Sequence, residues 1–302
     1  MSSLAAVTAP RPSLGTWLLA IRPKTLTAAF APVAVGTAAA LAAGQARWLP
    51  ALAALVGAVL IQIGTNLTND YYDFKKGADT AERLGPKRVT QSGLIAPRTV
   101  LIGALVSFGL AFAVGCYLMW IGGWPIAAIG IASLLAGYAY TGGPFPLAYN
   151  GLGDLFVFVF FGLVAVCGTF YVQAGTVSEL AVLASVAMGT SGTALLVVNN
   201  LRDASTDVKA NKRTLVVRLG ERAGRIEYVL MLVLSLAVPV LLWSTSRASA
   251  WVLLALLSIP LTWPPLRRVL RDRGAALNPA LGETARFQIV FALLFAIGLG
   301  IG

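Results

Sequence analysis

Residues 51–76 read ALAALVGAVLIQIGTNLTNDYYDFKK. Positions 51–69 carry no charged side chain. About 20 mostly apolar residues make a helix long enough to cross a bilayer, so the run predicts a membrane span over roughly 50–70. The span closes on Asn66, Asn69, Asp70 and Asp73. Helical residues three and four apart share a face, which makes these four side chains one polar stripe. Carboxylates directly behind an apolar run are costly without partners, so a functional role is the default expectation. This stretch decides two things: the fold is helical and membrane-spanning, and its chemistry lies at a helix end.

The rest of the chain follows the same pattern. Its 302 residues are 58% hydrophobic and 12% charged, with mean hydropathy +0.80. Soluble domains carry about 25% charged residues. Further apolar runs lie at roughly 24–44, 99–121, 124–142, 154–175, 180–201, 226–245, 249–266 and 285–302. Together they predict an all-α polytopic membrane protein of about nine transmembrane helices, bundled as a single domain over 1–302. With the N-terminus placed inside and the spans alternating, every basic residue of the 23 falls inside except Arg47 and Arg247; Arg11 is among those inside. This is the bias of the positive-inside rule. The expected location is the inner (cytoplasmic) membrane, with the N-terminus cytoplasmic and the C-terminus outside. The net charge of +11 is then mainly topological and does not indicate nucleic acid, while a secondary role in holding an anionic head group at the inner face stays open. No cleavable signal-peptide pattern is expected, since Arg22 and Lys24 open the first apolar stretch.

The chain has no histidine. That excludes His-ligated zinc sites, Ser-His-Asp triads and a histidine general base. Cys116 and Cys167 stand singly in apolar runs and read as small core residues. Of the 12 acidic residues, Asp70, Asp73, Asp79, Glu82, Asp203 and Asp207 fall in two short segments at helix ends. Both segments contain Asn-x-x-x-Asp, as Asn69/Asp73 and Asn199/Asp203, after the second and sixth spans. An internal duplication follows, with half-repeats of roughly 15–145 and 150–275 and the site at their interface. Crowded carboxylates call for a bridging cation, and oxygen ligands without histidine or cysteine point to magnesium. Magnesium commonly joins one or two carboxylates to substrate phosphates, so two facing clusters would hold two or more ions around a diphosphate. The candidate ligands are Asn69, Asp70, Asp73, Asp79, Asp203 and Asp207. Solvated loop charges alone would not explain asparagines at matching offsets.

Basic residues flank both clusters. Lys76, Lys87 and Arg88 follow the first, and Arg202, Lys212 and Arg213 surround the second. Such cations suit an anionic diphosphate. Arg22 and Lys24, beside Pro23, sit near membrane depth, where a basic residue is expensive unless used. With Asn66, Asn69, Asn199 and Asn200 they complete the expected substrate-binding set. Arg83, Arg218 and Arg222 are assigned to topology alone.

At these residues the chain resembles the UbiA superfamily of intramembrane aromatic prenyltransferases. Asn69-Asp70-Tyr71-Tyr72-Asp73 with Asp79 matches its first motif, and Asp203-x-x-x-Asp207 its second. Within the superfamily it is most similar to the 1,4-dihydroxy-2-naphthoate polyprenyltransferase branch. Arg22-Pro23-Lys24-Thr25-Leu26, Lys76-Gly77-Ala78-Asp79, Gly85-Pro86-Lys87-Arg88, Gln91-Ser92-Gly93, Tyr140-Thr141, Asn199 to Asp203 and Lys212-Arg213-Thr214-Leu215 carry this likeness. The resemblance implies magnesium-dependent transfer of a polyprenyl group from polyprenyl diphosphate to 1,4-dihydroxy-2-naphthoate with loss of carbon dioxide, giving demethylmenaquinol for menaquinone biosynthesis. It implies catalytic roles for Asp70, Asp73, Arg202, Asp203 and Asp207. Tyr140 is the best placed of the aromatics (Tyr71, Tyr72, Phe74, Tyr138, Phe156, Phe158, Phe160 and Phe161 among them) to shelter an allylic cation. Two departures stand out: Asp79 lies six residues after Asp73 rather than four, and Asp154 stands where many relatives carry glutamate. Another aromatic acceptor, such as 4-hydroxybenzoate or homogentisate, would keep the chemistry. A secondary transporter is the alternative of another class. Prenyl chain length and oligomeric state are not readable from the sequence.

Overall fold

The computed structural model describes residues 12–80 and 83–302; Arg11 and Glu82 lie outside the described residues. Every regular element among the described residues is helical. In chain order these are α1 (Leu14–Ile21), α2 (Thr27–Ala42), α3 (Trp48–Lys75), α4 (Pro97–Gly122), α5 (Trp124–Ala139), α6 (Gly153–Val157), α7 (Ala165–Ala174), α8 (Glu179–Lys209), α9 (Leu215–Leu219), α10 (Glu221–Ser244), α11 (Trp263–Arg271) and α12 (Asn278–Gly300). Phe158–Val164 winds as a π-helix between α6 and α7, so Gly153–Ala174 makes one span. Ala250–Thr262 winds as a 3-10 helix and runs straight into α11.

Among the described residues seven helices are long and apolar enough to cross a membrane, or eight if the bent pair α1–α2 counts as one. The shorter apolar α5 accounts for the remaining run predicted at 124–142. The chain is a multi-pass membrane protein. Several boundaries differ from the sequence expectation; α12, for one, begins at Asn278 rather than near 285. The first span does not begin at 24: α1 precedes it and ends at Arg22, whose φ of 53° is left-handed, and Leu14–Thr25 meets α2 at an angle of 51°. Helix α3 runs on to Lys75 and α8 to Lys209, past the expected span ends near 70 and 201, so Asp73, Asp203 and Asp207 all stand on helix.

Local sequence explains the helix ends. Ser13, Ser178 and Thr214 accept from Thr16, Ala181 and Val217 amides and cap α1, α8 and α9, satisfying amides that have no partner inside the helix. Pro97 and Pro125 open α4 and α5, where a missing N–H costs nothing. Gly123, at φ 70°, allows the reversal between those two helices, a conformation that only glycine adopts freely.

Helix α8 is the central strut: 78% of its apolar stretch is buried, against 22% for α4. Small residues let its neighbours close in. A Cβ on Gly162 would stand 2.7 Å from the Gly189 Cα, so the π-helical segment and α8 touch backbone to backbone. The Gly189–Gly192 stretch is thus spent on packing within the chain, and all four of its residues are buried. On α12, Phe287, Phe291 and Phe295 stack with centroids 5.6 and 5.7 Å apart, the ladder that i, i+4 spacing produces. The cysteines correct the expectation in part. Cys116 is exposed and so is not a core residue, while Cys167 is half-buried and packs against the core around Ala39, Ala40 and Phe170.

The Gly162–Gly189 contact gives a direct test. Gly162→Ala forces a methyl group against backbone, an overpacking cost of about 1–3 kcal/mol. The thermal midpoint in detergent should fall by several degrees; an unchanged midpoint would contradict this packing.

Candidate functional site

The two motif helices end side by side. A cavity of about 650 Å³ lies between them. Of the residues picked from the sequence, Arg22, Lys24, Asn66, Asn69, Asp73, Lys87, Arg88, Tyr140, Asn199, Asn200, Asp203 and Lys212 line it. Asp70, Lys76, Asp79, Arg202, Asp207 and Arg213 do not. The polar end passes into an apolar wall that includes Ile61, Phe112, Met119, Ile126, Phe156, Phe160 and Phe161. Cys116 belongs to this wall. Tyr71, Tyr72, Phe74, Tyr138 and Phe158 lie outside it.

The single stripe expected on α3 divides between two tasks. Asn66 donates to the Ile21 carbonyl and to Thr25 Oγ1, both at 2.9 Å. Asp70, one turn on, accepts from the Val89 and Thr90 amides at 3.3 and 3.0 Å and lies 3.9 Å from Arg22. These contacts tie the α1–α2 bend and the 83–95 loop onto α3. Asn69 and Asp73 make the other pair. Thr141 donates to Asn69 at 2.7 Å, Tyr149 donates to Asp73 Oδ1 at 2.9 Å, and Arg88 reaches Asp73 Oδ2 at 3.4 Å.

The second half-site is held by its own guanidinium. Arg202, almost fully buried, grips Asp203 with two bonds of 2.8 and 2.6 Å, the bidentate geometry that favours arginine over lysine. Its third nitrogen donates to Asn278 at 3.4 Å, and Asn278 donates to the Leu84 carbonyl at 2.7 Å. Lys212 stands 3.4 Å from Asp207. Burial pulls the Lys212 ammonium down, but Asp207, Asp73 and Asp203 outweigh it and leave its pKa raised. Asn200 donates to Asp154 at 3.3 Å in the cavity wall. Asp79 sits behind the cavity, paired with Arg83 and with Arg88 at 3.2 Å. Burial pushes it up to about 6, with Arg83 pulling the other way.

Three residues matter here that sequence reasoning missed. Tyr149 carries the hydrogen bond to Asp73, and Lys76 lies 4.5 Å and Lys212 5.9 Å from its ring centroid. Its phenol is driven upward by burial and then by Asp73. Arg218, assigned to topology, donates to the Asn150 and Arg213 carbonyls at 2.9 and 3.1 Å and fastens the Tyr149 loop. Arg83, also assigned to topology, pairs with Asp79. A tyrosine one loop away from the motif gave no spacing signal.

Among the described residues no three acidic, cysteine or histidine side chains converge as a metal cage. Three carboxylates from different helices face the cavity, Asp73 of α3, Asp154 of α6 and Asp203 of α8, with the amides of Asn69, Asn199 and Asn200; Asp154 is held by Asn200. Behind them Asp207 Oδ2 is buried with no hydrogen-bond partner. This oxygen-only set fits a hard cation shared with phosphate oxygens rather than one enclosed by protein.

Residues 29–299 match the model of the UbiA prenyltransferase family. The chain belongs to that family. It is 40% identical over 291 residues to the 1,4-dihydroxy-2-naphthoate octaprenyltransferase of Mycobacterium tuberculosis, covering 96% of this chain and 98% of that one. It is also 40% identical to the Escherichia coli protein of the same name, with 94% of each chain covered. Among solved structures, the apo UbiA homologue from Aeropyrum pernix superposes with a TM-score of 0.65 at 16% identity, over 93% of this chain and 98% of that one. A UbiA homologue from Archaeoglobus fulgidus, solved bound to DMAPP and Mg2+, gives 0.57 at 15% identity, over 93% and 99%. These two likenesses support the UbiA fold.

Tyr149→Phe keeps the ring beneath Lys76 and removes one hydrogen bond to a carboxylate, a bond of about 1.5–3 kcal/mol. Prenyl transfer by this UbiA-family chain should fall about tenfold or more, and the thermal midpoint should fall by a few degrees as the bond is lost. Full activity in the variant would remove Tyr149 from the site.

Proposed function

We propose that the protein transfers a polyprenyl group from polyprenyl diphosphate to 1,4-dihydroxy-2-naphthoate within the membrane, the step that yields demethylmenaquinol and demethylmenaquinone. One observation carries this reading. Asp73 and Asp203, from two separate motif helices, share a cavity with Lys87, Arg88 and Lys212, and that cavity continues into an apolar wall. The names of full-length relatives at 40% identity support the acceptor. A transporter is not favoured, because the chain belongs to a family of transferases.

The residues divide the work by chemistry. Arg22, Lys24, Lys87, Arg88 and Lys212 receive the diphosphate, whose charge grows as the allylic C–O bond breaks. Asn69, Asp73, Asn199, Asn200 and Asp203 are the oxygen donors that would hold magnesium against the diphosphate, with Asp207 behind Asp203; Asp70 and Asp79 support them from outside the cavity. Bound there, magnesium would supply neutralisation of the leaving group; two or more ions fit the expectation from paired clusters. Arg202 and Arg213 act from behind, the first by orienting Asp203 and the second through its loop with Tyr149. Lys76 steadies Tyr149. The apolar wall, with Phe156, Phe160 and Phe161, shelters the polyprenyl chain and keeps water from the cation. Tyr140, at the boundary of the polar and apolar parts, faces the developing positive charge. The naphthoate ring attacks the allylic carbon, and carbon dioxide leaves as the ring regains aromaticity.

The placement of the basic residues supports a site at the cytoplasmic face of the inner membrane, with the N-terminus inside and the C-terminus outside. The matched Asn-x-x-x-Asp pairs support half-repeats of roughly 15–145 and 150–275.

The test uses purified protein, magnesium, a polyprenyl diphosphate and a panel of acceptors that includes 1,4-dihydroxy-2-naphthoate, 4-hydroxybenzoate and homogentisate. Product and pyrophosphate are followed by mass spectrometry with and without chelator. Chelator-sensitive prenylation of the naphthoate is expected; prenylation of a different acceptor alone would overturn the substrate assignment. Asp73→Ala and Asp203→Ala should each reduce turnover by at least about a hundredfold, the scale on which charge stabilisation acts. Arg47→Ala, whose exposed side chain does not line the cavity, should leave turnover unchanged.

A further inference from the structure

The hairpin of α11 and α12 carries charge that the catalytic site does not use. Arg268 reaches across to Glu283 at 3.1 Å and to Asp272 at 3.9 Å. Arg225 donates to the Leu270 and Asp272 carbonyls, and Arg273 pairs with Glu221 at 2.8 Å. The acids of this corner are therefore taken. Arg267 and Arg286 remain exposed, and no hydrogen bond or ion pair joins either to another described residue.

Arg286 is the unusual one. It is not in a loop. It lies eight residues into α12, about 12 Å along the axis at 1.5 Å per residue. It shares the exposed stripe of that helix with Leu293 and Ile297, which are 41% and 51% exposed. The stripe faces lipid, because the helix is a membrane span. The positive-inside rule already places Arg286 at the inner end of the last apolar run, near 285; its exposed position sets it against lipid rather than in the cavity. An arginine at that level carries its guanidinium into the headgroup layer, where anionic lipid phosphates are available to pair with it.

The antiparallel pairing brings a second cation and an anchor to the same level. Glu283 and Arg286 are i, i+3 on α12, so the cross-link from Arg268 places Arg286 beside the first turn of α11. That turn carries Trp263, 66% exposed, and Arg267 follows it by four residues on the same helical face. An exposed tryptophan beside unpaired arginines is the composition of a headgroup-level surface.

We infer that the α11–α12 hairpin binds the phosphate of an anionic phospholipid through Arg267 and Arg286, with Trp263 set against its acyl chains. The arginine side chains extend from the span toward the headgroup layer, keeping their stems in apolar surroundings. The lipid occupies the outside of the bundle, away from the catalytic cavity, which neither arginine lines. The site rests on charge and placement, independently of the reaction assigned to the cavity.

Native mass spectrometry of the detergent-purified full chain, titrated with dioleoylphosphatidylglycerol, dioleoylphosphatidylcholine or inorganic phosphate, tests this. Phosphatidylglycerol should stay bound where phosphatidylcholine does not, and millimolar inorganic phosphate should not displace it. Arg267→Gln with Arg286→Gln should weaken phosphatidylglycerol binding about tenfold or more, on the scale expected for cations at an anionic lipid surface. Arg98→Gln with Arg222→Gln removes the same charge from two other exposed arginines and should leave the affinity within about twofold. Arg286→Lys should retain most of the binding, and Arg286→Gln alone gives the same reading if the double variant folds poorly. Equal affinity in the double variant, an equal loss in the charge-matched control, or displacement by inorganic phosphate would each overturn the proposal.

Discussion

The structure depends on holding carboxylates at the buried ends of membrane helices without leaving them unpaired. A lone ionised carboxylate in a low-dielectric setting costs several kcal/mol or more. The chain meets this with guanidinium groups: Arg202 clamps Asp203, and Arg88 spans Asp73 and Asp79. These pairs do more than neutralise charge. Arg202 continues through Asn278 to the Leu84 carbonyl, so α8, the start of α12 and the loop after α3 are joined at one point. The site and the closure of the bundle at that end are one network.

That network explains why the two motif helices differ in how they hold their acids. On α3, Asp70 serves backbone amides of the 83–95 loop and Asp73 serves the cavity. On α8, Asp203 meets the cavity while Asp207 stays behind it with Lys212. In each case one aspartate faces the cavity and its partner, three or four residues away, supports the frame. The basic side chains that compensate these acids also create positive potential at the cavity mouth, where a diphosphate would enter.

Much of this was legible in the sequence. Apolar runs located the spans, because a bilayer imposes a minimum length that composition cannot disguise. The two Asn-x-x-x-Asp segments pointed to the cavity that Asn69, Asp73, Asn199 and Asp203 line, because polar residues at a span's end have few structural uses. What was not legible depended on side-chain direction and on contacts between distant segments. Asn66, Asn69, Asp70 and Asp73 share one broad face by spacing, yet the loop that packs on α3 divides them. Tyr149 belongs to no motif and reaches Asp73 only through the 3-10 turn at 147–150. Arg83 and Arg218 looked topological because a basic residue in a link always does, and only their hydrogen bonds separate them from the rest. Helix α1 escaped notice because eight residues are too few for a span, and its end at Arg22 rests on a positive φ that no arginine signals.

The central claim is that two helix ends bind one diphosphate through a shared cation. Affinity for an unreactive polyprenyl thiodiphosphate, measured on the purified protein with and without magnesium, tests it most directly. The account predicts binding at least about tenfold tighter with magnesium, a difference of about 1.4 kcal/mol. It also predicts that this gain disappears when Asp73 and Asp203 are both changed to asparagine. Equal affinity with and without magnesium in the unmutated protein would contradict it.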